Sequence, residues 1–158
     1  MKTYSLMVGT VALIIVAFLG ISQIPQKKVP RDATIRTVRI GNTIIPVELA
    51  KTPAEQERGL SYRTSLDENN GMLFIFEKPD LYKFWMPNMN FPIDIIWIDE
   101  TKHIVSINEN VPPLEDISKP IYYQPTEPAL YVLEVSANFS KEHTIKIGNQ
   151  LVFQNTAN

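Results

Sequence analysis

The chain has 158 residues, of which 44% are hydrophobic and 20% are charged, values typical of a globular protein with a buried core. It contains no cysteine, which excludes disulfides, thiolate metal ligands and thiol nucleophiles. Three of the 15 Lys and Arg residues (Lys2, Lys27 and Lys28) precede residue 30, whereas all 17 Asp and Glu residues follow it, so the remainder carries a net charge of −5. Because an acidic chain without a basic run lacks the electrostatic footprint for nucleic acid, we expect no nucleic-acid partner.

The N-terminal segment stands apart from the rest, because residues 6–21 are almost wholly apolar and no charge lies between Lys2 and Lys27. This pattern is typical of a secretory signal, and cleavage after Ser22 would fit it. The uncharged residues 3–26 are also long enough to cross a bilayer as an uncleaved anchor. We therefore expect residues 1–22 to be a signal peptide or signal-anchor helix and residues 23–33 to be a tether. The domain would be exported to the periplasmic or extracellular face, either free or anchored in the cytoplasmic membrane of a bacterium.

The first predicted elements form a hairpin. Apolar residues alternate with polar ones from Thr34 to Ile40, which predicts a strand. Gly41-Asn42 is a turn pair suited to a hairpin, and the chain returns as a second strand from Thr43 to Leu49.

A short helix and a buried strand are predicted next. Thr52 and Glu55 have the spacing of a capping box, and Pro53 suits the first helical position. This helix is predicted to end at Gly59. The apolar run from Met72 to Phe76 then predicts a strand buried on both faces, which breaks at Lys78-Pro79.

The second half of the chain continues with short strands. They are predicted at Tyr82–Met86, Ile93–Asp99, His103–Ile107, Ala129–Val135 and Gln150–Phe153, with a short helical turn at Asn138–His143. Residues 110–126 contain four prolines and predict a long surface loop, a feature that is commonly functional. The sequence therefore predicts a mostly-β, barrel- or sandwich-like single domain over residues 34–154. It would carry one or two short helices, follow an N-terminal hydrophobic helix, and end in a disordered tail at 155–158.

Three blocks of sequence resemble the signatures of the DUF192 family. They are Arg58-Gly59-Leu60 with Arg63 and Gly71-Met72-Leu73-Phe74; Phe84-Trp85-Met86 with Asn88, Pro92 and Asp94; and Ala129 with Val132-Leu133-Glu134 and Gly148. The resemblance implies a compact, mostly-β domain that is commonly found behind a signal sequence. It implies no activity, because the family has no assigned function. Pro87 stands where relatives commonly have Lys, so any contact made by that Lys is missing.

A candidate ligand-facing surface combines Trp85, Asn88 and Asp94, with Arg58 and Glu134 nearby and the proline-rich loop as a lid. An indole beside amide and carboxylate groups suits a saccharide or a peptide of the envelope, because aromatic faces stack on apolar ring faces while polar groups fix hydroxyls or amines.

The alternative interpretation of the same segment is a structural turn. In that interpretation Asn88 and Asn90 hydrogen-bond the local backbone, and Asp94 pairs with Arg58 or Arg63. This structural interpretation is the more common outcome for such a segment.

Asp94 and Glu134 both lie within apolar strands, where a carboxylate requires a partner. On one face of a cleft, they would form an acid/base pair that could hydrolyse glycans. Two separate ion pairs with arginines are the more frequent arrangement, and we expect that one.

Copper and other cofactors find little support in the sequence. Met72, Met86 and Met89 could offer thioethers to Cu(I), although methionine is also an ordinary core residue. His103 and His143 lack the spacing of metal ligands, and we expect neither a cofactor nor a metal site. The predicted function is a non-catalytic ligand-binding or accessory module of the cell envelope. A glycan hydrolase, a structural module and a methionine-based copper binder remain as alternatives.

Overall fold

A computed structural model of the chain describes residues 36–154. The predicted signal or anchor helix (1–22), the tether (23–33) and the tail (155–158) lie outside the described residues. The described part contains, in order, β1 (Arg36–Ile40), β2 (Thr43–Ala50), α1 (Pro53–Arg58), β3 (Gly71–Asp80), β4 (Ile93–Ile98), β5 (Ile104–Val111), β6 (Ala129–Ser136), α2 (Phe139–Glu142) and β7 (Leu151–Gln154). Within this part, neither helix has the length and apolar character that crossing a bilayer requires.

All seven strands belong to one sheet, in the order β5-β4-β6-β3-β2-β1-β7. Among the strands of residues 36–154, only β2 and β3 pair in parallel, and α1 lies in the connection between them. The two edge strands approach each other, because His103 forms a bridge with Gln150 and the Leu151 amide donates to the Lys102 carbonyl at 2.8 Å. The sheet therefore curls into a half-barrel. The prediction of a mostly-β domain with short helices is confirmed, whereas the sandwich alternative is wrong.

The start of α1 follows directly from its sequence. Thr52 Oγ1 accepts the Glu55 amide at 3.3 Å, and Glu55 Oε2 accepts the Thr52 amide at 2.9 Å. Pro53 occupies the first turn, where its missing N–H is not needed. Gly59 ends the helix with a positive φ of 47°, as expected. No residue of α1 is buried, so the reciprocal caps are the main local interactions that stabilise this helix.

Strand β3 is the longest strand of the sheet and differs from its predicted length. It continues past Lys78-Pro79 to Asp80, because the pairing with β6 shifts register between Ile75 and Asp80 and so accommodates the proline. At its start, Gly71 packs so closely on β6 that a Cβ atom would lie 2.9 Å from the Glu134 carbonyl oxygen. This close approach fixes the position of β6 beside β3.

The sheet is apolar on both faces, and alternation along β4 assigns its residues as predicted. Ile96 and Ile98 contribute to the first face, and Ile95 and Trp97 to the second. The first face buries Val38, Ile40, Ile45, Val47, Leu73, Ile96, Ile98, Ile104, Leu133, Val135, Phe139, Ile145 and Leu151. The second buries Ala50, Leu60, Met72, Phe74, Met86, Ile93, Ile95, Trp97, Val111, Ala129 and Val132.

Two irregular segments cover the second face: residues 81–92 and residues 112–128. The second contains the four prolines of the predicted loop at 110–126, which begins later than predicted because β5 continues to Val111. The two segments are joined where the backbones of Phe84 and Tyr123 exchange two hydrogen bonds of 2.8 Å. The predicted strand at Tyr82–Met86 is wrong apart from this bridge. The segment crosses over the face instead of joining the sheet, because β4 is already paired with β5 and β6 on its two sides.

Candidate functional site

A cavity of about 230 Å³ lies on the second face, between α1, β3 and the segment 81–92. We call it the inner cavity. Its apolar lining includes Leu60, Phe74, Phe76, Tyr82, Phe84, Trp85, Met86 and Met89. Its polar lining consists of Gln56, Glu57, Arg58, Ser61, Lys83 and Glu134. The cavity is therefore an aromatic pocket with charged groups at a few defined positions.

Glu134 is the buried ionisable residue of this lining, with only 6% of its surface exposed. Its neighbours across the sheet are Met72 on β3 and Ile95 on β4, and neither can bind a carboxyl group strongly. Among residues 36–154, its carboxyl group makes no ion pair or hydrogen bond. Burial raises the pKa of Glu134 to about 8, while the positive charge of Arg63 acts in the opposite direction. The acid is thus mainly protonated at neutral pH and lacks a partner.

Arg63, whose positive charge acts on Glu134, is bound to another carboxylate. Arg63 binds Glu48 of β2 in a bidentate pair, with N–O distances of 2.6 and 2.8 Å. The hydrogen bond from Arg63 lowers the pKa of Glu48, and it outweighs burial, which raises that pKa. The predicted ion pair between Glu134 and an arginine is therefore wrong. No local pattern in the sequence reveals the Glu48–Arg63 pair, because the two residues belong to different elements.

The aromatic side chains of the lining pack against one another as well as around the cavity. The ring of Phe84 lies edge-on to Phe74 at 5.0 Å and to Trp97 at 5.1 Å, measured between ring centroids. Phe76 and Tyr82 are stacked, with centroids 3.7 Å apart. These contacts fix the rings in place, so the pocket has a defined shape before any ligand enters.

A second depression, which we call the outer cleft, adjoins the inner cavity. Its volume is about 430 Å³, and it shares Glu57, Arg58, Ser61, Trp85 and Pro87 with the inner cavity. Its remaining lining is Ala54, Tyr62, Asn88 and Ile117. The predicted site residues Arg58, Trp85 and Asn88 thus meet at one surface. Ile117 comes from the proline-rich loop, which reaches the site as expected.

Asn88 and Asn90 hold the segment that follows α1. Asn88 Nδ2 donates to the Tyr62 hydroxyl at 2.9 Å, and the Tyr62 amide donates to the Asn88 carbonyl at 2.9 Å. Both residues have positive φ, 55° for Asn88 and 65° for Tyr62. Asn90 Nδ2 donates to the Arg63 carbonyl at 2.7 Å. The asparagines therefore bind a distant segment, in contrast to the local turn of the alternative interpretation.

Asp94 lies on the opposite face and has no exposed surface. Its carboxylate accepts backbone amides from Asn110 at 2.9 Å, Asn138 at 3.1 Å and Ser140 at 2.9 Å. The residue joins the end of β5 to the start of α2, and the expected pairing with Arg58 or Arg63 is wrong. Since β4 presents Asp94 to the first face and β6 presents Glu134 to the second, the paired-carboxylate hypothesis is also wrong.

The predicted copper ligands lie only partly together. Met86 and Met89 line the inner cavity, whereas Met72 is buried opposite Glu134 in the ladder between β3 and β6. Neither His103 nor His143 lines the inner cavity or the outer cleft. Within residues 36–154, no group of three or more His, Cys, Asp or Glu residues is arranged to hold a metal ion.

The curled sheet and its inner cavity define a small β domain with one covered face and a buried, unpartnered acid beneath the cover. The chain belongs to the DUF192 family, whose model, described as "Uncharacterized ACR", matches residues 36–153. This match confirms the resemblance seen in the three sequence blocks.

Two solved structures are similar to this chain. One is a protein from Sinorhizobium meliloti 1021 named as a proposed transcription regulator, with 31% identity and a TM-score of 0.70, over 75% of this chain and 92% of that one. The other is a protein of unknown function from Novosphingobium aromaticivorans DSM 12444, with 32% identity and a TM-score of 0.67, over 73% and 83% of the two chains. A search of the curated proteins found no match.

Proposed function

We propose that the domain is a non-catalytic ligand-binding module of the bacterial cell envelope, and that its ligand occupies the inner cavity. The observation that carries this proposal is the unpartnered carboxyl group of Glu134, which is 6% exposed at the cavity. The carboxyl oxygens are not fully enclosed, since the fully buried side-chain atom without a hydrogen bond among the described residues is Ser140 Oγ, so they face the cavity. A ligand with hydrogen-bond donors or a positive charge supplies the partner that a carboxylate needs away from bulk water. Strongly perturbed acids in clefts cluster at functional sites for this reason.

The outer cleft supports a ligand larger than the inner cavity alone could hold. Trp85 borders both spaces and is 37% exposed, so its indole face is accessible to a sugar ring or a peptide side chain. Tyr122 lies beside it, with ring centroids 6.2 Å apart. An envelope peptide or saccharide is the ligand class that these rings favour.

Binding is favoured over glycan hydrolysis by the placement of the carboxylates. Glycoside hydrolysis in its usual form needs two carboxyl groups that flank one bond. Asp94 is engaged by three backbone amides on the first face, so it cannot act together with Glu134. The hydrolase alternative is therefore not proposed.

The charge of the domain does not favour the role in transcription that the name of the Sinorhizobium meliloti protein proposes. Three of the 15 Lys and Arg residues precede residue 30, and all 17 Asp and Glu residues follow it, so the domain carries a net charge of −5. This negative charge repels the phosphate backbone, since nucleic-acid affinity depends on cationic side chains.

Methyl NMR of the full chain in a nonionic detergent tests ligand binding at the cavity. With ¹³C-methyl methionine, Met86 and Met89 report on the inner cavity, and Met72, the cross-strand neighbour of Glu134, reports on the surroundings of the acid. We expect a panel of envelope saccharides and short peptides to include a compound that shifts Met86 and Met89 in a saturable manner. If no compound moves the two cavity signals at millimolar concentration, the cavity is not a binding site for these classes.

Export is proposed from the apolar residues 6–21, and a topology reporter tests it. A C-terminal fusion to an enzyme that is active only outside the cytoplasm should be active in bacteria. Leu13→Arg places a charge in the middle of the segment and should abolish that activity. An inactive fusion of the parent sequence, at normal expression level, would contradict export.

A further inference from the structure

We propose that the group entering the inner cavity is an alkylammonium at the end of an aliphatic stem, as in the lysine side chain of a peptide, and that Glu134 binds it as a carboxylate. This inference rests on the proposed binding function and specifies its ligand. The geometry behind it is a buried acid in the wall of a cavity that also contains five aromatic rings, without an ion pair or hydrogen bond to that acid among residues 36–154.

Charge complementarity favours a cation as the partner of Glu134. A carboxylate needs hydrogen-bond donors or a positive charge once it is removed from water. The groups facing it from neighbouring strands, Met72 and Ile95, supply neither. Arg63 acts on Glu134 through its charge alone, because both of its terminal nitrogens bind Glu48. An ammonium group brings three donors and a full charge to this carboxylate.

The aromatic lining suits the same chemistry. A cation over the face of Phe, Tyr or Trp is attracted by the ring quadrupole, and aromatic cages recognise ammonium ligands in this way. Phe76, Phe84 and Trp85 all line the cavity beside the acid. Met86 and Met89 add apolar contacts that match an aliphatic stem.

The size of the two spaces fits a side chain entering from a larger ligand. At about 230 Å³, the inner cavity is smaller than the pockets of roughly 300–1,000 Å³ that hold whole small molecules. The outer cleft of about 430 Å³ shares Arg58 and Trp85 with it, so a peptide backbone can lie outside while one side chain points inwards.

Binding is coupled to the release of a proton. The free acid carries its proton at neutral pH, since burial raises the pKa of Glu134 to about 8. When the ammonium enters, the O–H bond of Glu134 breaks and its proton passes to the solvent, while the ligand keeps all three of its own. The other ionisable groups near the site are Arg63, which is paired with Glu48, and Glu57, Arg58 and Lys83 in the lining. The affinity should therefore rise with pH.

Isothermal titration calorimetry on the full chain in nonionic detergent tests this inference. The probe is Nα-acetyl-lysine methylamide, and the matched control is the norleucine compound, which has the same stem without the amine. We expect the lysine compound to bind at least about tenfold more tightly, which corresponds to about 1.4 kcal/mol. Its Kd should fall about tenfold between pH 6 and pH 7, because the deprotonated fraction of Glu134 rises by that factor. Buffers of different ionisation enthalpy should report close to one proton released at pH 7.

Two variants distinguish the acid from the rest of the surface. Glu134→Gln keeps the shape of the protonated acid and should remove the preference for lysine over norleucine together with the pH dependence. Glu109→Gln, at an exposed position on β5 away from both spaces, should change neither. Tryptophan fluorescence, to which buried Trp97 and partly exposed Trp85 both contribute, confirms that each variant is folded.

The contradicting results separate this inference from the proposed function. Equal binding of the two compounds, or a Kd that is the same at pH 6 and pH 8, would overturn the ammonium assignment. If another compound of the NMR panel still shifts Met86 and Met89, the cavity is a binding site for a different group. If none does, the proposed function fails as well.

Discussion

Replacing Glu134 by Gln should change how the stability of the domain depends on pH. The parent acid has its pKa raised from 4.5 to about 8 in the folded state, so the folded chain holds this proton more tightly than the unfolded chain. The sign follows directly: the contribution to stability is fully present below pH 4.5 and is lost as the pH rises through 8. Glutamine resembles the protonated acid in shape and cannot titrate, so the variant lacks this loss.

The magnitude follows from the same pKa difference. Each tenfold change in proton affinity corresponds to about 1.36 kcal/mol, which gives about 5 kcal/mol in total and about 4 kcal/mol between pH 5 and pH 9. Urea unfolding of both full chains in nonionic detergent, followed by tryptophan fluorescence at pH 5, 7 and 9, measures the difference. The variant should be about as stable as the parent at pH 5 and clearly more stable at pH 9. Identical pH dependence of the two chains would refute the assignment of a buried, unpartnered acid, and Glu109→Gln should behave as the parent does.

Three further substitutions test the surroundings of the site by the same urea assay. Asp94→Asn removes the charge that three backbone amides bind, and should lower the unfolding free energy by about 3–5 kcal/mol; a loss below about 1 kcal/mol would contradict the described network. Gly71→Ala places a methyl group 2.9 Å from the Glu134 carbonyl oxygen and should cost about 1–3 kcal/mol, whereas an unchanged stability would mean that β3 and β6 separate easily. Arg63→Met removes a positive charge that lowers the pKa of Glu134. The pH-dependent loss of stability caused by Glu134 should therefore move to higher pH, and a shift to lower pH would contradict this.

The sequence predicted the elements where local chemistry decides the structure. The capping box of Thr52 and Glu55 determined where α1 begins, and alternation along β4 assigned Asp94 and Ile95 to opposite faces. The predicted strand at Tyr82–Met86 was wrong because the apolar residues of this segment pack on the face of the sheet. Periodicity alone does not distinguish such packing from pairing within a sheet. The bridge between Phe84 and Tyr123 depends on two segments that are far apart in the chain.

The candidate site was predicted in part. Arg58, Trp85 and Asn88 come together, and Glu134 joins Arg58 and Trp85 at the inner cavity. Asp94 was grouped with them from the sequence because it follows the same loop. The strand that carries it turns its side chain to the other face, where backbone amides of a distant connection bind it. Such long-range partners leave no local signal.

A similar limit applies to the partners of the arginines. Glu48 lies in β2, and the sequence of that strand does not show which residue binds its side chain. Its bidentate pair with Arg63 depends on the loop after α1, which Asn90 holds from the segment 81–92. The absence of a partner for Glu134 follows from this pair and could be found only in three dimensions.

The most direct test of the account is a titration of the Glu134 carboxyl group itself. Its ¹³C signal in the full chain, assigned by comparison with Glu134→Gln, is followed from pH 4 to pH 10 with and without the lysine compound. A midpoint near pH 8 is expected in the free protein. With saturating lysine compound the midpoint should move well below 7, because the ammonium binds only the carboxylate. A free midpoint near 4.5, or a midpoint that the lysine compound leaves in place, would contradict a buried acid that awaits a cationic partner.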